Sequence, residues 1–71
     1  DVDVILEKIQ HKYAQYPINT IDGVKIDFEE EWVHLRKSNT EPIIRIYVES
    51  SSESTAEHLA KKIMKDISEI I

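Results

Sequence analysis

The chain has no cysteine, which excludes a disulfide framework and a thiolate metal site. That fits a reducing, cytoplasmic compartment. No apolar run approaches the ~20 residues needed to cross a bilayer, so no membrane partner is expected. Nor does a basic leader with an apolar core open the chain. Residue 1 is Asp and the only methionine is Met64, so the chain is expected to be part of a longer protein. Positive charge is scarce: 9 basic residues face 14 acidic ones, for a net charge of −5. A nucleic-acid binder needs a basic face to displace counterions, and the strands also lack paired aromatics for base stacking. Nucleic acid is therefore disfavoured as a partner. The length of 71 residues allows one small domain, residues 1–71, of modest stability.

What is present is a clear alternation of periods. Val2, Ile5, Leu6, Ile9, Tyr13 and Tyr16 recur at three- and four-residue steps, predicting a helix over the first sixteen residues. Asp1 and Asp3 suit its N-terminus, and Pro17 stops it. Ile18–Ile21 and Val24–Phe28 flank Asp22-Gly23, a dipeptide suited to a two-residue hairpin turn. Glu29, Glu30 and Glu31 read as a solvated connection. In the next two strands, 32–36 and 43–49, Val33, Leu35, Ile44, Ile46 and Val48 point inward. Trp32, His34, Arg36, Arg45 and Tyr47 point outward. Either Ser52 or Ser54 can cap a final helix, the latter at capping-box spacing from Glu57. Leu59, Ala60, Ile63, Ile67, Ile70 and Ile71 form that helix's apolar stripe. The order α-β-β-β-β-α predicts a two-layer α+β domain, an antiparallel four-stranded sheet with both helices on one face.

One loop concentrates chemistry. Arg36-Lys37-Ser38-Asn39-Thr40-Glu41-Pro42 joins the last two strands, and residues 36 to 45 hold three cations against one carboxylate. Ser, Asn, Thr and Pro are common turn residues for backbone reasons alone. Three features favour a site over a plain connection. Arg36 ends its strand on the outward face, where its guanidinium can bind a phosphate through two parallel hydrogen bonds. Ser38 and Thr40 supply hydroxyls and Asn39 an amide, and Asn39 also tolerates left-handed backbone, so the turn can form an anion nest. Arg45, outward on the next strand, can add a second cation, brace the loop, or pair with Glu41 or Glu49. A small anionic ligand fits a positive island in a negative field. No base is placed to make a nucleophile of either hydroxyl. His11, His34 and His58 lack ligand spacing, so no metal site is expected. Trp32 and Tyr47 fit contact with another domain better than stacking of a sugar.

The stretch from Arg36 to Arg45, with Asp22-Gly23-Val24-Lys25-Ile26-Asp27-Phe28 upstream and Tyr47-Val48-Glu49 downstream, resembles the C-terminal (fourth) domain of the α-D-phosphohexomutases. These enzymes interconvert hexose 1-phosphates and 6-phosphates through a bisphosphate intermediate. The resemblance implies a fold like that of the TATA-binding-protein domain. It also implies that Arg36, Ser38, Asn39 and Thr40 contact the substrate's phosphate, with Arg45 and Lys37 as possible supports. Lys37 occupies a variable position and is expected to be solvated. Asn39 suits the phosphomannomutase/phosphoglucomutase branch, since the phosphoglucosamine mutase branch usually resembles Arg-x-Ser-Gly-Thr. The Glu29 to Glu31 run departs from the glycine turn common at that point. The resemblance places the catalytic serine and the Mg2+ loop outside these residues, so the chain alone is expected to be inactive. Phosphosugar and the other domains of a parent enzyme are the implied partners. The rival reading is a non-enzymatic interaction module using Trp32, Arg45 and Tyr47.

Overall fold

Helical spacing and strand alternation become six elements in the computed structural model, which describes residues 2–71. They are α1 (Val2–Lys12), β1 (Ile18–Asn19), β2 (Val24–Asp27), β3 (Trp32–Lys37), β4 (Ile44–Glu49) and α2 (Glu53–Ile70). The strands form one antiparallel sheet in the order β1-β2-β3-β4. Because side chains alternate across a strand, Val24, Ile26, Val33 and Leu35 fall on one face, and all four are buried. Leu6 and Ile9 of α1, Tyr13 just after it, and Leu59 and Ile63 of α2 complete a single core cluster on that face. Each fully buried aliphatic side chain contributes roughly 1.5–3 kcal/mol. Both helices therefore cover one side of the sheet, as the sequence predicts. No helix among the described residues is long and apolar enough to cross a membrane.

Several boundaries differ from expectation. The first helix ends at Lys12, four residues before the predicted stop, and 13–16 form turns in which Tyr16 N–H donates to the Tyr13 carbonyl at 3.0 Å. The turns bring Tyr13 and Tyr16 edge-on to Phe28, with ring centroids 5.8 and 4.7 Å away. Aromatic packing offsets the lost helical turn. The predicted role of Asp1 lies outside the described residues. Next, the β1–β2 connection is four residues, 20–23, and not the two-residue Asp22-Gly23 turn. Asn19 Oδ1 accepts Ile21 N–H at 2.9 Å, an Asx turn that takes the chain out of the ladder early and leaves Ile21 exposed. Gly23 still supplies positive φ, at 75°.

β4 starts at Ile44, since Ile43 N–H is spent on the Glu41 carbonyl at 2.8 Å. The cap of α2 is Ser52, whose hydroxyl accepts Thr55 N–H at 3.2 Å while Thr55 Oγ1 accepts Ser52 N–H at 3.2 Å. At the far end Ile71 is 85% exposed, beyond the stripe it was expected to extend.

The apolar stripe of α2 also contains a buried carboxylate, Asp66. Lys12 Nζ donates to its Oδ1 at 2.6 Å, and the Tyr13 hydroxyl donates to Oδ2. Burial pushes the Asp66 pKa up, but the bonds from Lys12 and Tyr13 and the nearby Lys12 and Lys62 charges outweigh it and hold the pKa below the ordinary carboxylate value. The same bond raises Lys12, and burial together with Asp66 raises Tyr13. A polar triad thus ties α1 to α2 beneath the sheet.

Candidate functional site

The register of β3 and β4 sets the site. Arg36 lies directly opposite Arg45, and Lys37 opposite Ile44. Like charges in that position are destabilising by roughly 0.2–1 kcal/mol, so the pairing is a cost to the fold alone. The connection between them is closed by Ser38 N–H donating to the Ile43 carbonyl at 3.1 Å. Within it the Ser38 hydroxyl accepts Thr40 N–H at 3.4 Å and lies 3.4 Å from Thr40 Oγ1. Residues 36–40 with Arg45 and Tyr47 line a cleft of about 290 Å³. Every predicted phosphate contact, Arg36, Ser38, Asn39 and Thr40, borders this one hollow, as do both proposed supports.

Their conditions differ. Ser38 is buried, and its Oγ organises the turn besides facing the cleft. Asn39 makes no hydrogen bond to any described residue, which leaves its amide free to donate. Among the described residues no non-glycine has positive φ, so Asn39 does not use the left-handed geometry it tolerates and no nest of that type forms. Arg45 makes no ion pair with Glu41 or Glu49 and remains exposed. Lys37 shares the inward parity of Val33 and Leu35 at the strand end, and its Nζ lies 3.3 Å from Asp3 Oδ2 in α1. It therefore leans toward the helix layer, away from the face that carries Arg36.

Two partners of the site were not foreseen. Arg36 Nη2 lies 3.2 Å from Asp22 Oδ2, and His34 Nε2 contacts the Asp22 carbonyl oxygen. The Asp22-Gly23 pair was read only as a turn, because nothing local signals that it reaches across β3. Tyr47 stands half-exposed beside His34, with ring centroids 6.3 Å apart.

A larger hollow of about 540 Å³ lies at the other end of β3, beside Glu29, Glu30, Glu31 and Ser50. Its carboxylates repel anions, and Glu31 is already engaged by the Ser50 hydroxyl at 2.7 Å. The smaller cleft has the cations. No carboxylate or imidazole among the described residues hydrogen-bonds Ser38 Oγ or Thr40 Oγ1, so the arrangement suits holding a group and not attacking one. No cluster of three or more His, Cys, Asp or Glu side chains that could hold a metal occurs among the described residues.

Comparison with known proteins gives the site its setting. Residues 2–66 match the family model described as phosphoglucomutase/phosphomannomutase, C-terminal domain. A probable phosphoglucosamine mutase of Pyrococcus horikoshii is 38% identical over 71 residues, covering 90% of this chain and 16% of that protein. The phosphoglucosamine/phosphogalactosamine mutase of Sulfurisphaera tokodaii is 42% identical over 66 residues, 90% of this chain and 14% of its own length. A phosphomannomutase of Methanocaldococcus jannaschii is 31% identical over 70 residues, 99% of this chain and 16% of its length. The chain thus spans only 14–16% of the length of these relatives. With its α-β-β-β-β-α order, its antiparallel sheet and a match across nearly its whole length, the chain belongs to the family of phosphoglucomutase/phosphomannomutase C-terminal domains.

Proposed function

We propose that residues 1–71 form the domain that holds the substrate's phosphate in a hexose-phosphate mutase of the phosphomannomutase/phosphoglucomutase type. The observation that carries this reading is the direct opposition of Arg36 and Arg45 across β3 and β4, over a loop that brings Ser38, Asn39 and Thr40 to the same cleft. A bound phosphate turns the cost of that like-charge pair into attraction. Arg36 can grip two phosphate oxygens, Arg45 adds charge, and the hydroxyls and the Asn39 amide donate to the remaining oxygens.

Such a cleft reads phosphate and leaves the sugar unread. That suits a reaction in which a hexose 1-phosphate becomes a hexose 6-phosphate through a bisphosphate that reverses its orientation, since either phosphate can occupy the same handle. The chain's contribution is positioning: binding energy at one end of the substrate fixes the other end for phosphoryl transfer. The transfer itself, with the serine that carries the phosphoryl group and the Mg2+ that the family uses, belongs in this reading to the remainder of a longer, cytoplasmic protein. The 71 residues alone would leave hexose phosphates unchanged.

A second reading, a phosphoglucosamine mutase, is favoured by the names of the Pyrococcus and Sulfurisphaera relatives, whereas Asn39 favours the first. Both readings use the same cleft. In the full-length parent protein, Arg36→Ala should lower kcat/KM for hexose phosphates about 10- to 150-fold, the value of a charge-assisted hydrogen bond. Unchanged kinetics would remove Arg36 from the site.

A further inference from the structure

Among the described residues, Arg36 is the one cleft cation with a carboxylate partner on a different part of the sheet, and that partner is placed with care. Gly23 seats the 20–23 turn against β3 so closely that a Cβ there would lie 2.3 Å from the Leu35 carbonyl oxygen. His34 holds the same turn through the Asp22 backbone carbonyl, an attachment that does not depend on the Asp22 side chain. The Asp22 carboxylate then reaches Arg36 Nη2 at 3.2 Å. Both side chains are largely exposed, 47% for Arg36 and 64% for Asp22, and such pairs contribute little to stability. The contact has a better use.

We propose that Asp22 is a positioning residue for the phosphate cleft: it restrains Arg36 before ligand arrives. This rests on the reading of residues 36–40 as a phosphate site. A guanidinium has five N–H donors in a rigid fork, so engaging one terminal nitrogen restricts the long side chain and leaves donors for an oxyanion. Asp22 also offsets part of the Arg36 charge, but Arg45 opposite has no carboxylate partner among the described residues and keeps the cleft positive. The division of labour is orientation by Arg36 under Asp22 control and uncompensated charge from Arg45.

The size of the effect follows from the ordering that Asp22 spares the ligand. Immobilising one rotamer-rich side chain on binding costs an amount equivalent to about 2- to 10-fold in affinity. The test is calorimetric titration of the full-length parent protein with glucose 6-phosphate, mannose 6-phosphate and glucosamine 6-phosphate, continued with whichever binds most tightly. Asp22→Ala should weaken binding by that factor without moving the melting temperature, and Asp22→Glu should recover most of it. In the Arg36→Ala background, Asp22→Ala should add nothing, because its route to the ligand is gone. Full additivity there, or a lowered melting temperature, would show that Asp22 merely holds the turn and overturn the proposal. Unchanged or tighter binding by Asp22→Ala, with Arg36→Ala still weak, would overturn it alone. Loss of nothing in Arg36→Ala would overturn the phosphate reading of the loop and this proposal with it.

Discussion

Replacing Asp66 by alanine should cost this domain more than any comparable surface change, although the carboxylate is far from the cleft. Asp66 is 7% exposed and Tyr13 4% exposed, whereas the Lys12 side chain keeps 47% of its surface in water. Removing the carboxylate lets Lys12 recover hydration but strands the Tyr13 hydroxyl in the interior. An orphaned buried donor costs about 1–3 kcal/mol. For a domain of this size each kcal/mol moves the melting temperature by roughly 4–8 °C, so thermal melts of the 71-residue chain followed by circular dichroism should fall by about 5–20 °C. Adding Tyr13→Phe to Asp66→Ala should restore part of the loss, since the hydroxyl then disappears with its acceptor.

The pH dependence has a definite sign. The folded Asp66 pKa is held below its ordinary value, so its contribution is complete above the unfolded pKa of about 4 and is lost as pH falls through the lower folded value. The gap between the unmodified chain and Asp66→Ala should be constant from neutral pH down to about 5 and close below about 4. A gap that stays the same in acid, or equal melting temperatures at neutral pH, would refute the argument that the triad is a charge-assisted tie between the helices.

Two further outcomes follow from the site. Arg45→Ala should stabilise the isolated chain by about 0.2–1 kcal/mol, by relieving the pairing with Arg36, while raising the KM for hexose phosphates in the parent protein; urea melts and steady-state kinetics read the two effects, and a destabilised chain would contradict the assigned register. Gly23→Ala should destabilise the chain by more than about 1 kcal/mol, because it combines positive φ with a Cβ forced onto the Leu35 carbonyl. A chain as stable as the parent in the same melts would mean that the 20–23 turn is not seated against β3.

Periodicity made the architecture legible. Val24, Ile26, Val33 and Leu35 alternate in sequence and are buried in the sheet, and Leu6, Ile9, Leu59 and Ile63 recur at helical spacing and cover it. Side-chain direction follows directly from the backbone repeat, so the faces could be read without coordinates. Boundaries were less legible, because Asn19, Ile43 and Tyr16 leave their elements through local hydrogen bonds and aromatic contacts that compete with the regular pattern.

Element order, the core-facing residues and a loop with the donors a phosphate needs were legible in one dimension, since each is a property of neighbours along the chain. What those residues face came from contacts between distant segments. Register set Arg36 against Arg45, strand parity sent Lys37 toward Asp3, and the glycine turn carried Asp22 to Arg36. Folding likewise turned Asp66, which sits in an apolar stripe, into the acceptor for Lys12 and Tyr13, more than fifty positions away. Contacts across that separation depend on strand pairing and helix packing, and one residue of slip in β3 would move Arg36 to the other face of the sheet.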